Sequence, residues 1–358
     1  MVQKQKENIM KLDINDWLEN DRIPDSLIRF GIRKRLLKTL EKVRPENCED
    51  RQAALIDHIN DLKSSPLAIA TDEANEQHYE LPTVFFQGCL GPHLKYSSGY
   101  WKDGETSNDI EASEARMLKL TCERADITDG DRILELGCGW GSLTLWMAKH
   151  YPKSEITVIS NSNTQRQFIN SQLKERGLNN VTVKTVNMID YRGEGESIFD
   201  RVVSVEMFEH MKNYQLLLGR ISEWLKPDGK LFVHIFTHKD TSYHYEIESE
   251  DDWMSKYFFT GGQMPSDDLL LYFQDHLSID DHWQVNGTHY EKTSNAWLDR
   301  MDANKAELFP LIEETYGKHQ SVKWWVYWRC FYMACAELWG FRDGEEWFVS
   351  HYRFTNKK

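Results

Sequence analysis

The stretch Arg132-Ile-Leu-Glu-Leu-Gly-Cys-Gly-Trp-Gly-Ser142 decides the fold of this chain. An apolar run of strand length ends in three glycines at alternate positions, and Leu143 to His150 then has the pattern of a helix. A glycine-rich turn between a strand and a helix brings backbone N–H groups close to a ligand. The stretch therefore predicts a ligand site at the carboxyl end of a strand in a parallel sheet.

Short runs rich in β-branched residues follow this turn and alternate with amphipathic segments. This alternation is typical of β-α-β units, in which a parallel sheet has helices on both faces. Residues 293–316 and 321–341 predict two long helices, and two late strands can close the sheet with an antiparallel edge. The predicted strands are 132–136, 156–159, 181–186, 201–205, 230–235, 277–286 and 347–355.

The composition is that of a globular protein of 358 residues with a net charge of −14. Apolar residues make up 40% and aromatic residues 12% of the chain, which excludes a disordered protein. The acidic balance repels phosphate backbones, so nucleic acid is not an expected partner. Thirteen tryptophans are present, and eight of them follow residue 238.

The six cysteines are scattered without a Cys-x-x-Cys pair, which predicts neither a zinc site nor a disulfide framework. The first residues are charged, and no apolar run approaches the roughly 18 residues of a membrane span. We therefore expect a cytoplasmic protein with no metal and no stable membrane insertion.

A basic stripe lies on the helix predicted from Pro24-Asp25-Ser26 onward. Its apolar positions recur at helical spacing and are Leu27, Ile28, Ile32, Leu36, Leu37 and Leu40. The basic residues on the other face are Arg29, Arg33, Lys34, Arg35, Lys38 and Lys42. Three interpretations remain open: a helix docked on the body, an interfacial membrane helix, and a contact between the copies of a homodimer.

The glycine spacing bears on the class of ligand. Gly137-x-Gly139-x-Gly141 differs from the G-x-G-x-x-G of dinucleotide folds, and Glu135 is a poor neighbour for a pyrophosphate. A carboxylate at this position suits a ligand with a positive amino group, as at the amino-acid end of S-adenosylmethionine. A dinucleotide and a purely structural turn are the alternatives.

Two longer motifs resemble a known family. Ile133 to Ser142 and Phe199-Asp-Arg-Val-Val-Ser-Val-Glu-Met-Phe-Glu-His-Met-Lys-Asn-Tyr214 look like the cyclopropane-fatty-acid-synthase superfamily of methyltransferases, in particular its coclaurine N-methyltransferase-like branch. The resemblance continues from about residue 75 to the end of the chain. It implies an α/β class I methyltransferase with a Rossmann-like seven-stranded sheet, an N-terminal helical extension and a helical, aromatic lid.

The resemblance also implies which residues hold S-adenosylmethionine. Those assigned to its methionine end are Ser98 and Gly137, with Glu135 and Gly139 in the same turn. Those assigned to the ribose are Asn161 and Gln165, and those assigned to the adenine are Asn187, Met188 and Val205. The second strand ends in Ser160-Asn161-Ser162 without a carboxylate, so amide and hydroxyl groups must bind the ribose. Asn161 has the alternative role of a helix cap.

Three residues after the fourth strand are candidates for the chemistry. Glu206, Glu209 and His210 lie where α/β sheets place their reacting groups. A carboxylate pair attracts a cationic amine, and a histidine can take its proton. We therefore expect N-methylation of a small aromatic or alkaloid-like amine, with Glu209 and His210 positioning and deprotonating it. The alternative is a purely structural role, in which these residues only form the start of the next helix.

The second hypothesis is methyl transfer to, or cyclopropanation of, unsaturated fatty acyl phospholipids. In that branch the resemblance implies a bicarbonate held by a cysteine and by residues matching Glu209, His234 and Tyr290. Here the cysteine position is Ser98 in Tyr96-Ser97-Ser98-Gly99-Tyr100, which weakens this hypothesis. Cys335 matches a cysteine proposed as a nucleophile, and we expect it to be a buried thiol. A third hypothesis, a non-catalytic scaffold, predicts lost site residues.

An acidic and aromatic segment, 239–262, is predicted to be a lid over a flat cationic substrate. The predicted substrate-binding residues are Tyr79, Glu80, Trp253, Phe258, Trp328 and Phe331, with core packing as the alternative for each aromatic ring. The predicted division is a helical extension with a cofactor-covering loop (1–110), a Rossmann-like core (111–238) and a lid with substrate-pocket helices and the last two strands (239–358).

Overall fold

The computed structural model describes residues 14–68, 81–245 and 261–357. Its strands form one seven-stranded sheet and one two-stranded ribbon. The strands are β1 (Arg132–Leu136), β2 (Glu155–Ser160), β3 (Val181–Thr185), β4 (Phe199–Val205), β5 (Leu225–His238), β6 (Tyr243–His244), β7 (Gln263–Met264), β8 (Leu277–Val285) and β9 (Trp347–Asn356). The sheet order is β3-β2-β1-β4-β5-β9-β8, and β6 pairs with β7. The first five strands are parallel, and β9 is antiparallel to both of its neighbours. The predicted antiparallel edge is confirmed.

Helices cover both faces of the sheet. They are α1 (Ile14–Glu19), α2 (Asp25–Val43), α3 (Cys48–Ser64), α4 (Thr83–Cys89), α5 (Ile110–Arg124), α6 (Ser142–His150), α7 (Asn163–Arg176), α8 (Tyr214–Trp224), α9 (Thr288–Ala303), α10 (Lys305–Tyr316) and α11 (Ser321–Trp339). Because side chains alternate along a strand, Ile133 packs with α5, α6 and α7 while Leu134 packs with α3 and α8. The predicted α/β architecture is therefore confirmed.

The N-terminal helices rest on α11. Arg29 and Arg33 of α2 form ion pairs with Glu337, and Arg329 of α11 binds Asp25. These contacts confirm that the basic helix docks on the body. Two positions of its predicted apolar face, Leu27 and Leu37, are exposed to solvent instead. The face of α2 that packs against the body carries Ile28, Ile32, Leu36 and Leu40.

The helix predicted over 293–316 is two helices, α9 and α10. The break lies at Asn304, which leaves helical geometry with φ −96° and ψ 16°. Its side-chain amide donates to the carbonyl of Gly88 at 2.8 Å, and its own carbonyl accepts from the backbone N–H of Glu307 and Leu308. The tertiary contact to α4 thus fixes a boundary that helical periodicity does not reveal. Among the described residues, the helices are too short or too polar to cross a bilayer.

Candidate active site

Glu206 is the first residue after β4 and has strained backbone geometry. Its φ is +49°, a left-handed value that is uncommon for any residue but glycine. Its N–H donates to the carbonyl of His234 on β5 at 2.9 Å. Strain of this kind persists only where surrounding contacts hold it, and it is found at functional sites.

The Glu206 carboxylate is held from several elements. The hydroxyl of Tyr290 on α9 donates to one oxygen at 2.7 Å, and Nε2 of His234 lies 3.2 Å from the other. The backbone N–H of Ser98 also bonds to it. Burial raises the pKa of Glu206 to about 7, while the charge of Lys95 and these donors act against that rise. Glu206 is therefore a largely buried carboxyl group, with its side chain 11% exposed, and its neighbours oppose part of the rise in its pKa.

Lys95 brings a buried positive charge to the same place. Its side chain is almost wholly buried, and its ammonium donates to the hydroxyl of Ser97. Burial lowers the pKa of Lys95 to about 8, against the attraction of Glu206 and Glu114. The loop that carries it is fixed because the N–H groups of His93 and Lys95 both donate to Glu114.

Glu209 and His210 lie in a single 3-10 turn, Phe208–His210, just beyond Glu206. Glu209 is only 2% exposed, and among the described residues its Oε2 has no hydrogen-bond partner. Burial raises the pKa of Glu209 well above its usual value, and the charge of Glu206 adds to the rise. Burial lowers the pKa of His210 to about 4, so its imidazole is neutral at pH 7. The three predicted reacting residues are thus brought together, with a neutral base beside two carboxyls.

The glycine turn after β1 has the backbone conformation that only glycine adopts easily. Gly137 has φ +79° and Gly141, which precedes α6, has φ +80°. The N–H groups of Gly137 and Cys138 both donate to the carbonyl of Ile159 on β2. A Cβ on Gly137 would lie 3.0 Å from Met207. The turn is therefore closely packed on the segment that carries Glu206.

The residues predicted for ribose and adenine follow β2, β3 and β4. Gln165 is 2% exposed, its Oε1 accepts from the Ser160 hydroxyl at 2.7 Å, and its Nε2 has no hydrogen-bond partner among the described residues. Ser162, not Asn161, caps α7, so the capping alternative for Asn161 is wrong. Asn161 is exposed at the end of β2. Asn187 and Met188 follow β3, and Val205 ends β4.

Glu135 is buried within β1, and its Oε2 accepts from the hydroxyl of Thr144 on α6 at 2.5 Å. Burial raises the pKa of Glu135 to about 8, so the carboxyl is largely protonated at neutral pH. Its bond fastens the first turn of α6 to β1. The hydroxyl of Ser98, which is fully buried, donates to the carbonyl of Gly99.

The predicted residues of the last third are mostly core. Cys335 lies on α11, and burial together with Glu206 raises the pKa of its thiol far above the usual range. Trp328 and Phe331 pack in the cluster of α4 and α11, where Trp328 contacts the ring of Phe85. Four predicted substrate-binding residues lie outside the described residues, as does most of the predicted lid: Tyr79, Glu80, Trp253 and Phe258.

Sequence reasoning did not single out Lys95, Arg124 or His351. Lys95 stands in the run Leu94 to Tyr100, which carries part of the family resemblance, and that position is the usable signal. His351 lies in a strand rich in aromatic residues, opposite His234. Among the residues that the structure describes, no cluster of three acidic, histidine or cysteine side chains has the arrangement of a metal site.

Comparison with known proteins agrees with this geometry. The family model described as "Mycolic acid cyclopropane synthetase" matches residues 68–345. An (S)-coclaurine N-methyltransferase of Thalictrum flavum subsp. glaucum is 38% identical over 95% of this chain and 94% of its own length. A cyclopropane-fatty-acyl-phospholipid synthase of Escherichia coli strain K12 is 29% identical over 94% of this chain and 80% of its own length.

A solved structure shows the same relationship in three dimensions. It is a coclaurine N-methyltransferase bound to N-methylheliamine and SAH, with a TM-score of 0.90 and 37% sequence identity. The match covers 95% of this chain and 98% of that chain. The chain therefore belongs to the mycolic acid cyclopropane synthetase family, within its coclaurine N-methyltransferase branch.

Proposed function

We propose that this protein transfers the methyl group of S-adenosylmethionine to the nitrogen of a small, alkaloid-like amine. The observation that carries the proposal is the segment after β4, where the largely buried Glu206 and the buried Glu209 lie beside a neutral His210. The membership of the coclaurine N-methyltransferase branch supports it.

The edge of the sheet at β1 to β4 fits S-adenosylmethionine. The turn at Gly137 has no side chain, so a ligand can approach its backbone at the end of β1. The Nε2 of buried Gln165, which has no hydrogen-bond partner among the described residues, can donate to a ribose hydroxyl. Asn161 and Asn187 provide further polar groups at the ends of β2 and β3. When bound, the cofactor supplies an electrophilic methyl group.

The protein's own residues prepare the amine. An amine that arrives protonated has no lone pair, so it must lose a proton before it can accept a methyl group. The charge of an ionised Glu206 favours the cationic form of the amine as it enters the site, and Glu209, whose Oε2 has no hydrogen-bond partner among the described residues, can accept a hydrogen bond from it. His210 is neutral at pH 7 because of burial, so its ring nitrogen has a free lone pair for the proton, and the charge of Glu206 stabilises the imidazolium that forms. Orientation of the nitrogen toward the methyl group then provides the remaining acceleration.

The lipid alternative loses support at Glu206. The resemblance gives His234 and Tyr290 to a bound bicarbonate, but both side chains contact the Glu206 carboxylate. A protein carboxylate thus occupies the partners that the anion would need. Serine stands at the corresponding cysteine position, so a further implied ligand is missing.

Incubation with S-adenosylmethionine labelled in its methyl group tests the proposal. Tetrahydroisoquinoline amines and phospholipid vesicles are offered side by side, and label is measured in the amine and in chloroform-soluble lipid. We expect label in the amine. Label in lipid alone would establish the alternative, and label in neither, with no heat of binding for S-adenosylhomocysteine, would overturn the proposal.

A further inference from the structure

A row of hydrogen bonds runs from Glu206 across the sheet. Val205 pairs with His234 between β4 and β5, and His234 pairs with His351 between β5 and β9. Paired residues of neighbouring strands lie side by side on one face, so the two imidazoles meet. Nε2 of His351 lies 2.8 Å from Nδ1 of His234, whose Nε2 lies 3.2 Å from the Glu206 carboxylate.

Arg124, the last residue of α5, stands at the other end of the row. Its guanidinium Nη1 lies 2.7 Å from Nδ1 of His351. The same guanidinium lies over the ring of Trp283, 4.9 Å from the centroid, and Trp283 pairs with His351 between β8 and β9. An arginine has only donors and keeps its charge at any ordinary pH. The direction of every bond in the row follows from this one residue.

We propose that Arg124 is a positioning residue that fixes the tautomers of His351 and His234, so that His234 donates an N–H to Glu206. Arg124 donates to Nδ1 of His351, which therefore carries its proton on Nε2 and donates to Nδ1 of His234. His234 in turn carries its proton on Nε2 and donates it to the carboxylate. The role of this hydrogen bond in methyl transfer rests on the proposed function, whereas the assignment of the two tautomers does not depend on it.

The row requires both imidazoles to be neutral, because a charged imidazole has two donors and no acceptor. Both rings are fully buried, and burial lowers their pKa values well below the usual one. The charge of Arg124 lowers both pKa values further. The neutral state that the row needs is therefore the state that its surroundings favour.

The row acts on the charge of Glu206. An N–H donated to a carboxylate favours its ionised form and lowers its pKa. The other titratable groups that face Glu206 come from four segments and do not change when Arg124 is replaced: Lys95, Tyr290, Cys335, Glu209 and His210. Loss of the row should therefore raise the pKa of Glu206 directly and act on the other groups only through the charge of Glu206.

Nitrogen-15 NMR of histidine-labelled protein tests the tautomers without any substrate. Signals are assigned with His234→Gln and His351→Gln, and we expect both rings in wild-type protein to carry the proton on Nε2. Arg124→Met should mix or reverse the tautomers, and Arg124→Lys, which keeps a donor, should restore them. His351→Gln can accept and donate in the same directions, so His234 should keep its tautomer there and lose it in His351→Leu.

Arg353→Met is the matched control. Arg353 also lies over Trp283, 5.5 Å from its centroid, but it forms ion pairs with Asp280 and Asp281 and contacts Arg124 only at its backbone carbonyl. Its loss should leave both tautomers unchanged, whatever it costs in stability. A proton on Nδ1 of His234 in the wild type, or unchanged tautomers in both Arg124→Met and His351→Leu, would overturn the proposal.

The pH profile of methyl transfer tests the consequence. The acid limb of kcat/KM should move to higher pH by about one unit in Arg124→Met, because the ionised form of Glu206 loses a charge-assisted hydrogen bond. Arg124→Lys should return the limb toward its original position, and Arg353→Met should not move it. If Arg124→Met altered the tautomers but left the acid limb of kcat/KM in place, the proposed effect of the row on the pKa of Glu206 would be overturned. A protein with these tautomers but no methyl transfer would instead contradict the proposed function.

Discussion

His210 is the residue on which the proposed proton transfer depends. Its pKa is lowered to about 4 by burial, so it is neutral throughout the neutral range and does not titrate there. We expect His210→Ala to lower turnover of the preferred amine by roughly 10²-fold, as loss of a general base does. Binding of S-adenosylhomocysteine should be unchanged, because none of the predicted cofactor residues is replaced and all of them except Val205 belong to elements other than β4.

Steady-state rates and calorimetry measure the two effects separately. His319→Ala, at an exposed position between α10 and α11, is the matched control and should keep full turnover. Wild-type turnover in His210→Ala would remove His210 from the chemistry. Lost cofactor binding would show instead that the variant had disturbed the fold of the segment after β4.

The reach of sequence reasoning is visible at this site. Glu206, Glu209 and His210 are neighbours in the chain, so a motif alone identifies them. Their partners are not neighbours: Tyr290, His234 and Lys95 arrive from separate elements. The resemblance assigned the first two to a bicarbonate, and only the folded arrangement shows that they hold Glu206. Register between β5 and β9, which aligns His234 with His351, is likewise absent from local patterns.

At the scale of one element, α6 depends on the glycine before it. Gly141 has φ +80°, and a Cβ there would lie 2.7 Å from Cγ1 of Ile169 on α7. Gly141→Ala therefore combines left-handed strain of about 1–2 kcal/mol with overpacking of about 1–3 kcal/mol. We expect it to lower the free energy of unfolding by about 2–5 kcal/mol, measured by urea titration.

Gly177→Ala separates the two contributions. Gly177 ends α7 with φ +65°, but a Cβ there meets no atom within 4 Å. This variant should lose only the strain, about 1–2 kcal/mol. Equal losses in the two variants would show that α7 moves aside at no cost, and that the turn is not tightly packed.

The aromatic skew of the last third also belongs to the scale of elements. Five tryptophans of α9, α11 and β9 are at most 3% exposed and form one cluster: Trp297, Trp325, Trp328, Trp339 and Trp347. Core packing therefore explains these five. Periodicity predicted helices here but could not distinguish a ring in the core from a ring in a pocket, since both lie on the buried face of a helix. Trp253 lies outside the described residues, so its substrate role stays a prediction.

At the scale of the whole molecule, α2 and α11, which lie far apart in the sequence, pack on each other. The ion pairs of α2 with α11 join the predicted extension (1–110) to the predicted last segment (239–358). The division at 110 and 238 stays a prediction about folding units. Buried titratable groups, by contrast, are spread through all three segments, so the pH dependence of stability is a property of the entire fold.

Two sets of buried groups oppose each other in that dependence. Burial lowers the pKa of seven described histidines: His58, His93, His210, His234, His238, His289 and His351. Burial raises the pKa of five described carboxyls: Glu114, Glu135, Glu206, Glu209 and Glu291. As pH falls toward and below 6.5, the histidines bind protons in the unfolded chain before they do so in the folded one, and this destabilises the fold. Carboxyls whose pKa is raised to about 7 or 8 bind protons in the folded chain first, and this stabilises the fold.

We therefore expect the unfolding temperature to be highest near pH 6.5. From pH 8 down to 6.5 the carboxyls take up protons in the folded state, and this uptake raises stability. The unfolded histidines, together with Lys95 and Lys212, whose pKa values burial lowers to about 8, act in the opposite direction in this range but do not outweigh the carboxyls. From pH 6.5 to 4.5 the seven histidines outweigh the five carboxyls, and stability falls. Thermal unfolding in buffers of equal ionic strength measures the curve. His58→Gln removes a histidine whose pKa is about 4, so its loss of stability between pH 6.5 and 4.5 should be smaller than that of the wild type. A curve that rises steadily toward pH 5 would mean that several of these histidines are protonated in the folded protein.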